Sequence, residues 1–424
     1  MTVEEPRKAV LLGAGFSYDL GMPLAAEVTE LFFGIFNATN AKKLGDMLST
    51  QQPYGKDRPI KGDEIRAGLD LLLRYKAEGG GNYEDFLARI ESLPFRDTAD
   101  QDSHHYLFSV FYELLYMILV AYQATSYLLL YSHNRPCFSG LTNLLSAGDK
   151  ETWIFSLNHD LYAECLAIDF GIPITYGDTE EISFPLSNLK RQDQVCFSCS
   201  PREKLPESPG WFRGRAGINL VRLHGGLGEL EYKDGALLCN PKLNHRTSAE
   251  LIREFQRIEA MGYYSVAGRV PSGKDRVVTG PDGSLDVVCR TIRTGGRKYS
   301  KTTNFKKGEE KLKLLDDVLR EADELTIIGF AFGDYHINSR ILNAMVLNPK
   351  LRTTIVDPAA RHGRPDFLQQ FDYNQRIVTA SCGAAQWMGW VGEKKWDAEQ
   401  ARTLKEGAAI REVVKQAVGK ILPR

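Results

Sequence analysis

Three short clusters in this chain place chemically capable residues directly after an apolar run. Gly13-Ala14-Gly15 follows residues 9–12, Asn158-His159-Asp160 follows 152–157, and His224-Gly225-Gly226 follows 219–223. A glycine turn that opens a helix offers backbone amides without internal partners, at the positive end of the helix dipole, so the first cluster suits an anion such as a diphosphate. Gly13 and Gly15 have no Cβ and let such a group approach the backbone. Asn158 and Asp160 can orient polar groups, or can simply cap the helix expected from Leu161. Histidine, with an ordinary pKa of roughly 6.5, suits general base chemistry near neutral pH, which makes His224 the candidate base; the plainer alternative is a turn residue with a satisfied ring.

Two later runs end in the same manner. Residues 325–328 lead into Gly329-Phe330-Ala331-Phe332-Gly333-Asp334, and 353–356 lead into Asp357. Asp334 is read as the cap of a helix from Tyr335, and His336 as structural. Short apolar runs of this kind are typical of parallel strands buried on both faces. In an open parallel sheet, ligands bind outside the C-terminal strand ends, so five such clusters converge on one crevice. The first turn is not the full dinucleotide fingerprint, because its third glycine position is Tyr18.

Between the first two strands, residues 41–150 are helical in pattern, with expected helices at 63–76, 83–93 and 104–131. They read as a module inserted after the first strand–helix unit. Residues 114–131 carry no charge, the length at which a membrane span becomes feasible, but Gln123, Thr125, Ser126 and four tyrosines favour a buried helix. His104-His105 lacks a partner at metal-ligand spacing and is expected to head that helix. Residues 177–217, with Pro185, Pro201, Pro206 and Pro209, read as loop, and 240–310 have little pattern. Residues 268–313 hold 12 Lys or Arg against 5 Asp or Glu, either solvated surface or a contact for a partner, nucleic acid or phosphates. An amphipathic helix is expected at 397–421.

The organisation expected is therefore an α/β Rossmann fold with a parallel sheet and an inserted helical module. Residues 1–40 and 151–390 form the nucleotide-binding domain, 41–150 the module and 391–424 a C-terminal helix. A formal net charge of −1 gives no global argument for nucleic acid or an anionic membrane. Seven scattered cysteines, and a start without an apolar leader, fit a reducing cytoplasm.

Taken together, these motifs resemble the sirtuin family. Gly13-Ala14-Gly15-Phe16-Ser17 with Gly21-Met22-Pro23 resembles its glycine-rich NAD loop, Asn158-His159-Asp160 its Asn-x-Asp element, and His224-Gly225 its catalytic His-Gly. Gly329-Phe330-Ala331-Phe332 resembles its later glycine motif, and Val356-Asp357 sits where the adenosine ribose is held. Two departures stand out. Leu24-Ala25-Ala26 replaces the Phe-Arg that follows in sirtuins, and one Cys-x-x-Cys pair, Cys196 and Cys199, precedes His224 where a zinc site needs two pairs after it. No metal is therefore expected. The run from Gly329 to Asn338, followed by Leu347-Asn348-Pro349, resembles the sirtuin-like NAD hydrolases of prokaryotic antiphage defence, nearest those that assemble with a HerA-type ATPase.

That resemblance implies cleavage of NAD to nicotinamide and ADP-ribose by an oligomeric protein, acting through NAD depletion. It implies Asn158 and His224 as catalytic residues. Gly13, Ala14, Gly15, Ser17, Asp160, Gly329, Phe332 and Asp357 would bind the nucleotide. The alternatives are an NAD-dependent protein deacylase and a non-catalytic NAD or ADP-ribose sensor.

Overall fold

The computed structural model describes residues 6–51, 60–145, 150–261, 273–294, 308–359 and 365–422. Most of the basic excess expected at 268–313 falls on 268–272 and 295–307, outside the described residues. Thirteen strands are described: β1 (Lys8–Leu12), β2 (Glu151–Ser156), β3 (Ile174–Thr175), β4 (Glu180–Ser187), β5 (Lys190–Pro201), β6 (Gly217–Arg222), β7 (Leu230–Tyr232), β8 (Leu237–Pro241), β9 (Asp275–Thr279), β10 (Leu285–Arg290), β11 (Glu324–Ile328), β12 (Arg352–Val356) and β13 (Ile377–Ala380).

Seven of them form one sheet in the order β13-β12-β11-β1-β2-β6-β3, with every pairing parallel. The sheet is covered on both faces. Ala9 and Leu11 of β1 point into one core with Phe155, Leu223 and Ile327, whereas Val10 and Leu12 point into another with Ile154 and Leu220. That two-sided burial is why these strands read as unbroken apolar runs. From β1 the chain builds outward through β2 to β3 and β6, then returns to the other side of β1 with β11. The order therefore reverses between β1 and β11, the place where open α/β sheets form a crevice.

The described elements between β1 and β2 are helices. The longest, Thr98–Ser126, starts about two turns before the expected position because Asp97 caps it, accepting from the Asp100 amide. His104 accordingly lies inside the helix, its Nε2 2.8 Å from Glu64, and does not head it. By length and composition the continuous helical run Thr98–Phe138 is apolar enough to cross a membrane. Here Phe111 meets Phe32, Phe36 and Phe86, and Tyr112, Leu115 and Ile118 are buried in the same core as Val10 and Leu12. The C-terminal helix Ala398–Ile421 docks beside the first turn. Arg411 bonds both oxygens of Glu27 and the carbonyls of Tyr18 and Met22, with its guanidinium 3.7 Å from the centre of the Tyr18 ring.

A second reading of the sequence is overturned. Residues 177–217 are not all loop, because β4 and β5 occupy about half of them and begin an antiparallel sheet of order β4-β5-β8-β7-β10-β9. Pro185 sits beside a register shift and Pro201 at a strand end, positions that tolerate a missing amide, so they punctuate strands without abolishing them. The helix expected from about Leu24 runs Ala25–Gly34 and is preceded by a single helical stretch, Ala14–Tyr18.

Candidate active site

Because all seven strands of the first sheet run parallel, their C-terminal ends share one edge. Along it stand, in spatial order, Asp357 after β12, Gly329 after β11, Gly13 after β1, Asn158 just beyond β2 and His224 just beyond β6. Four strand spacings separate the ends of this row, roughly 19 Å at about 4.8 Å each. All ten candidate site residues lie on this edge or on the turns and short helix that leave it.

The glycines are there for contact between two loops. A Cβ on Gly13 would sit 2.5 Å from the Gly329 carbonyl oxygen, and one on Gly329 would sit 2.5 Å from Gly15 and the Phe16 nitrogen. Gly329 also has φ +64°, a left-handed conformation that favours glycine. The Gly13 amide donates to the Ile328 carbonyl and the Gly15 amide to the Gly329 carbonyl, each at 2.9 Å. Both amides are thus used to join β1 to β11, and Ala14 is exposed at the crest of the turn.

Beneath that crest lies a buried polar chain. Asn158 Nδ2 donates to the Gly13 carbonyl at 2.9 Å and to Ser17 Oγ at 3.0 Å, pinning the turn to the end of β2. The Ser17 hydroxyl in turn bonds the Asp160 carboxylate, whose Oδ1 also accepts from the Tyr162 amide at 3.0 Å. Asp160 therefore bonds the first amide of the following helix, although the N-cap position itself is Leu161, and Asn158 does not bond it. Burial pushes the Asp160 carboxyl up to about 6, against the lowering effect of its Ser17 and Tyr162 hydrogen bonds.

A raised carboxylate pKa means that the native state holds a proton the unfolded chain has released. Between about pH 4 and 6 the Asp160 contribution to stability therefore falls as pH rises, by something on the order of 3 kcal/mol. Asp160→Asn, which keeps the acceptor for the Tyr162 amide, is expected to flatten that part of the stability profile and to raise the melting temperature at pH 8. Denaturant midpoints across pH 4–8 measure it; an unchanged slope would contradict the assignment.

His224 is buried, and its Nε2 is 3.0 Å from Asp334 Oδ2. That is a hydrogen-bonding distance, although the N–H is not aligned on the oxygen; catalytic hydrogen bonds often straighten only with substrate bound. The other oxygen, Asp334 Oδ1, accepts from the His336 and Ile337 amides and caps the helix Tyr335–Leu347. Asp334 follows β11 and His224 follows β6, so the loop between Gly329 and Asp334 spans the width of β1 and β2. Phe332 within that loop holds φ +56°, a strained conformation for a non-glycine residue. Its carbonyl is held by Asn338 at 2.7 Å and its ring packs on Phe330 and Phe367. At the far end, half-buried Asp357 accepts from the Ala359 amide through Oδ1.

Sequence reasoning missed two members of this group. Asp334 reads from sequence as a cap alone, and His159, whose Nδ1 is 3.2 Å from the Gly225 carbonyl, ties the β2 and β6 turns together. Their partners are distant in sequence; the only local signal is that each follows a buried strand. Cys196 and Cys199, three apart on a strand, point to opposite faces: Cys196 contacts Ser183, and Cys199 faces the core opposite Cys239. They do not present two thiols to one point. Among the described residues no group of three or more His, Cys, Asp or Glu is placed to hold a metal.

A cleft of about 680 Å³ lies elsewhere, lined by Arg7, Lys8, Glu151 and Trp153 at the N-terminal strand edge. The concentration of buried polar groups and close glycine contacts favours the opposite edge, where parallel sheets bind ligands.

No protein-family model matches this chain, and no curated protein does. Solved structures with detectable similarity include one described for sirtuin substrate affinity, 11% identical over 92% of this chain and 94% of the other, with a TM-score of 0.32. Another is a variant Sir2 homologue in complex with ADP-ribose, 11% identical over 96% and 94%, with a TM-score of 0.36. A third is a Sir2 protein bound to a propionylated peptide, 10% identical over 92% and 94%, with a TM-score of 0.33. At such TM-scores these likenesses carry no argument about what this chain does.

Proposed function

We propose that the protein is an NAD glycohydrolase with a sirtuin-like site. The observation that supports this best is the row of five clusters on one parallel-sheet edge, with Asn158 and His224 on neighbouring strands and the glycine turn beside them. The dinucleotide lies along that row. Its diphosphate meets the turn at the exposed Ala14, between Gly13 and Gly15 whose amides bond carbonyls at the end of β11, Asp357 accepts from the adenosine ribose hydroxyls, and Phe332 flanks the nucleotide. Ser17 acts by holding Asn158 and Asp160 in place.

In the reaction the bond from the ribose anomeric carbon to the nicotinamide nitrogen breaks, and its electron pair leaves with neutral nicotinamide. Water oxygen forms the new bond to that carbon. His224 takes the proton of the water or of a ribose hydroxyl and later gives it to solvent. Asn158 uses Nδ2 to hold the loop, and its amide oxygen, which neither of those bonds employs, orients the attacking water. Asp160 engages the carboxamide, or buttresses the residues that do.

The wider setting follows from the resemblance in sequence. In it the protein is a cytoplasmic homo-oligomer that depletes NAD in antiphage defence and works with a HerA-type ATPase. Nucleic acid enters only indirectly or through the basic segment at 268–313. Incubating the full chain with NAD, with and without an acylated peptide, tests the activity. Nicotinamide and ADP-ribose formed without peptide support the hydrolase. Turnover only with peptide would replace it by a deacylase, and bound but uncleaved NAD by a sensor.

A further inference from the structure

We propose that Asp334 is a positioning residue for His224, holding Nε2 as the protonated nitrogen so that Nδ1 is the basic one. This rests on the hydrolase reading for its kinetic arm, but not for its structural arm. The geometry divides the carboxylate between two tasks. Oδ1 is fixed by the His336 and Ile337 amides at the start of a thirteen-residue helix, and Oδ2 is left 3.0 Å from His224 Nε2. A carboxylate only accepts, so the nitrogen facing it carries the hydrogen. The second ring nitrogen then keeps its lone pair.

Among the described residues, His159, Arg293 and Lys311 do not impose that choice. His159 has its ring centre 6.5 Å away and directs Nδ1 to Gly225. Arg293 donates its backbone amide to the His224 carbonyl, while its guanidinium lies against Gly308. Lys311 is paired with Glu229 and with the Arg222 carbonyl behind the strand. The Gly329–Asp334 loop thus links the glycine contact at β1 to the histidine after β6, and the helix cap supplies its anchor.

Two substitutions separate positioning from capping. Asp334→Asn keeps an oxygen for the helix amides but turns an NH₂ donor toward Nε2, which forces the hydrogen onto Nδ1. Asp334→Ala loses the cap yet leaves the ring free to choose. With full-length protein labelled at the imidazole nitrogens of its 8 histidines, and His224→Ala identifying the signal, the wild type is expected in the Nε2–H form and Asp334→Asn in the Nδ1–H form. Turnover of NAD is expected to fall on the order of 10³–10⁴-fold in Asp334→Asn, as when a triad aspartate is replaced by asparagine, with KM nearly unchanged. Asp334→Ala should fall at least tenfold less, despite melting lower. A capping role alone predicts the reverse order. The same tautomer in wild type and Asp334→Asn, or greater damage by alanine, overturns the proposal. A tautomer switch in a protein that never cleaves NAD upholds the positioning and sinks the hydrolase reading instead.

Discussion

Asn158→Ala is expected to lower nicotinamide release from NAD by at least 10²-fold and to destabilise the fold as well. Its side chain serves both purposes. Nδ2 bonds the Gly13 carbonyl and Ser17 Oγ, and both acceptors lie in a buried cluster that includes Asp160. Alanine leaves two buried acceptors without that donor, at about 1–3 kcal/mol each where nothing replaces it. The turn then loses its tie to β2, and the attacking water loses its guide. His224→Ala provides the contrast: it removes a proton acceptor, worth about 10²–10⁴ in rate, and no described side-chain bond to the glycine turn. Initial rates and thermal melts measured together separate the two. Asn158→Ala should move both, and His224→Ala mainly the rate. Full activity in either variant would remove that residue from the site.

Gly329→Ala is expected to cost about 2–4 kcal/mol, the sum of a left-handed alanine, about 1 kcal/mol, and a forced contact, about 1–3 kcal/mol. The contact cannot be relieved by turning a side chain, because the new methyl would meet Gly15 and Phe16 backbone atoms at 2.5 Å. Gly333, four residues later in the same motif, is the internal control. A Cβ there meets nothing within 4 Å, so Gly333→Ala should stay within about 0.5 kcal/mol of wild type. Denaturant midpoints of the two variants compare them directly. Equal values would mean that the two glycine loops do not touch as described.

The parallel sheet was legible in the sequence because burial on both faces leaves an unmistakable trace. Residues 9–12, 152–157 and 325–328 are apolar without alternation, and each is a central strand. The positions of Gly13, Asn158, His224, Gly329 and Asp357 followed from strand direction alone. The second sheet was not legible at its start, since the β4–β5 hairpin carries exposed charge near its tip and a proline at a register shift. Its inward alternation of Val195, Phe197 and Cys199 was present, but surrounded by residues that read as loop. The partnership of His224 with Asp334 was out of reach, because it depends on a loop crossing two strands whose order the sequence does not print. The glycine motif was recognised for the right location and an incomplete reason. Gly13 and Gly15 permit a ligand's approach in principle, but their vacant Cβ positions are filled by a second loop of the same chain.

The most direct test of the central claim compares wild type with Asn158→Ala in NAD alone, without any acylated peptide, following nicotinamide and ADP-ribose by NMR. Equimolar nicotinamide and ADP-ribose from the wild type, and neither from the variant, is the expected result. NAD left intact by the wild type, or cleaved equally by both, would contradict the account.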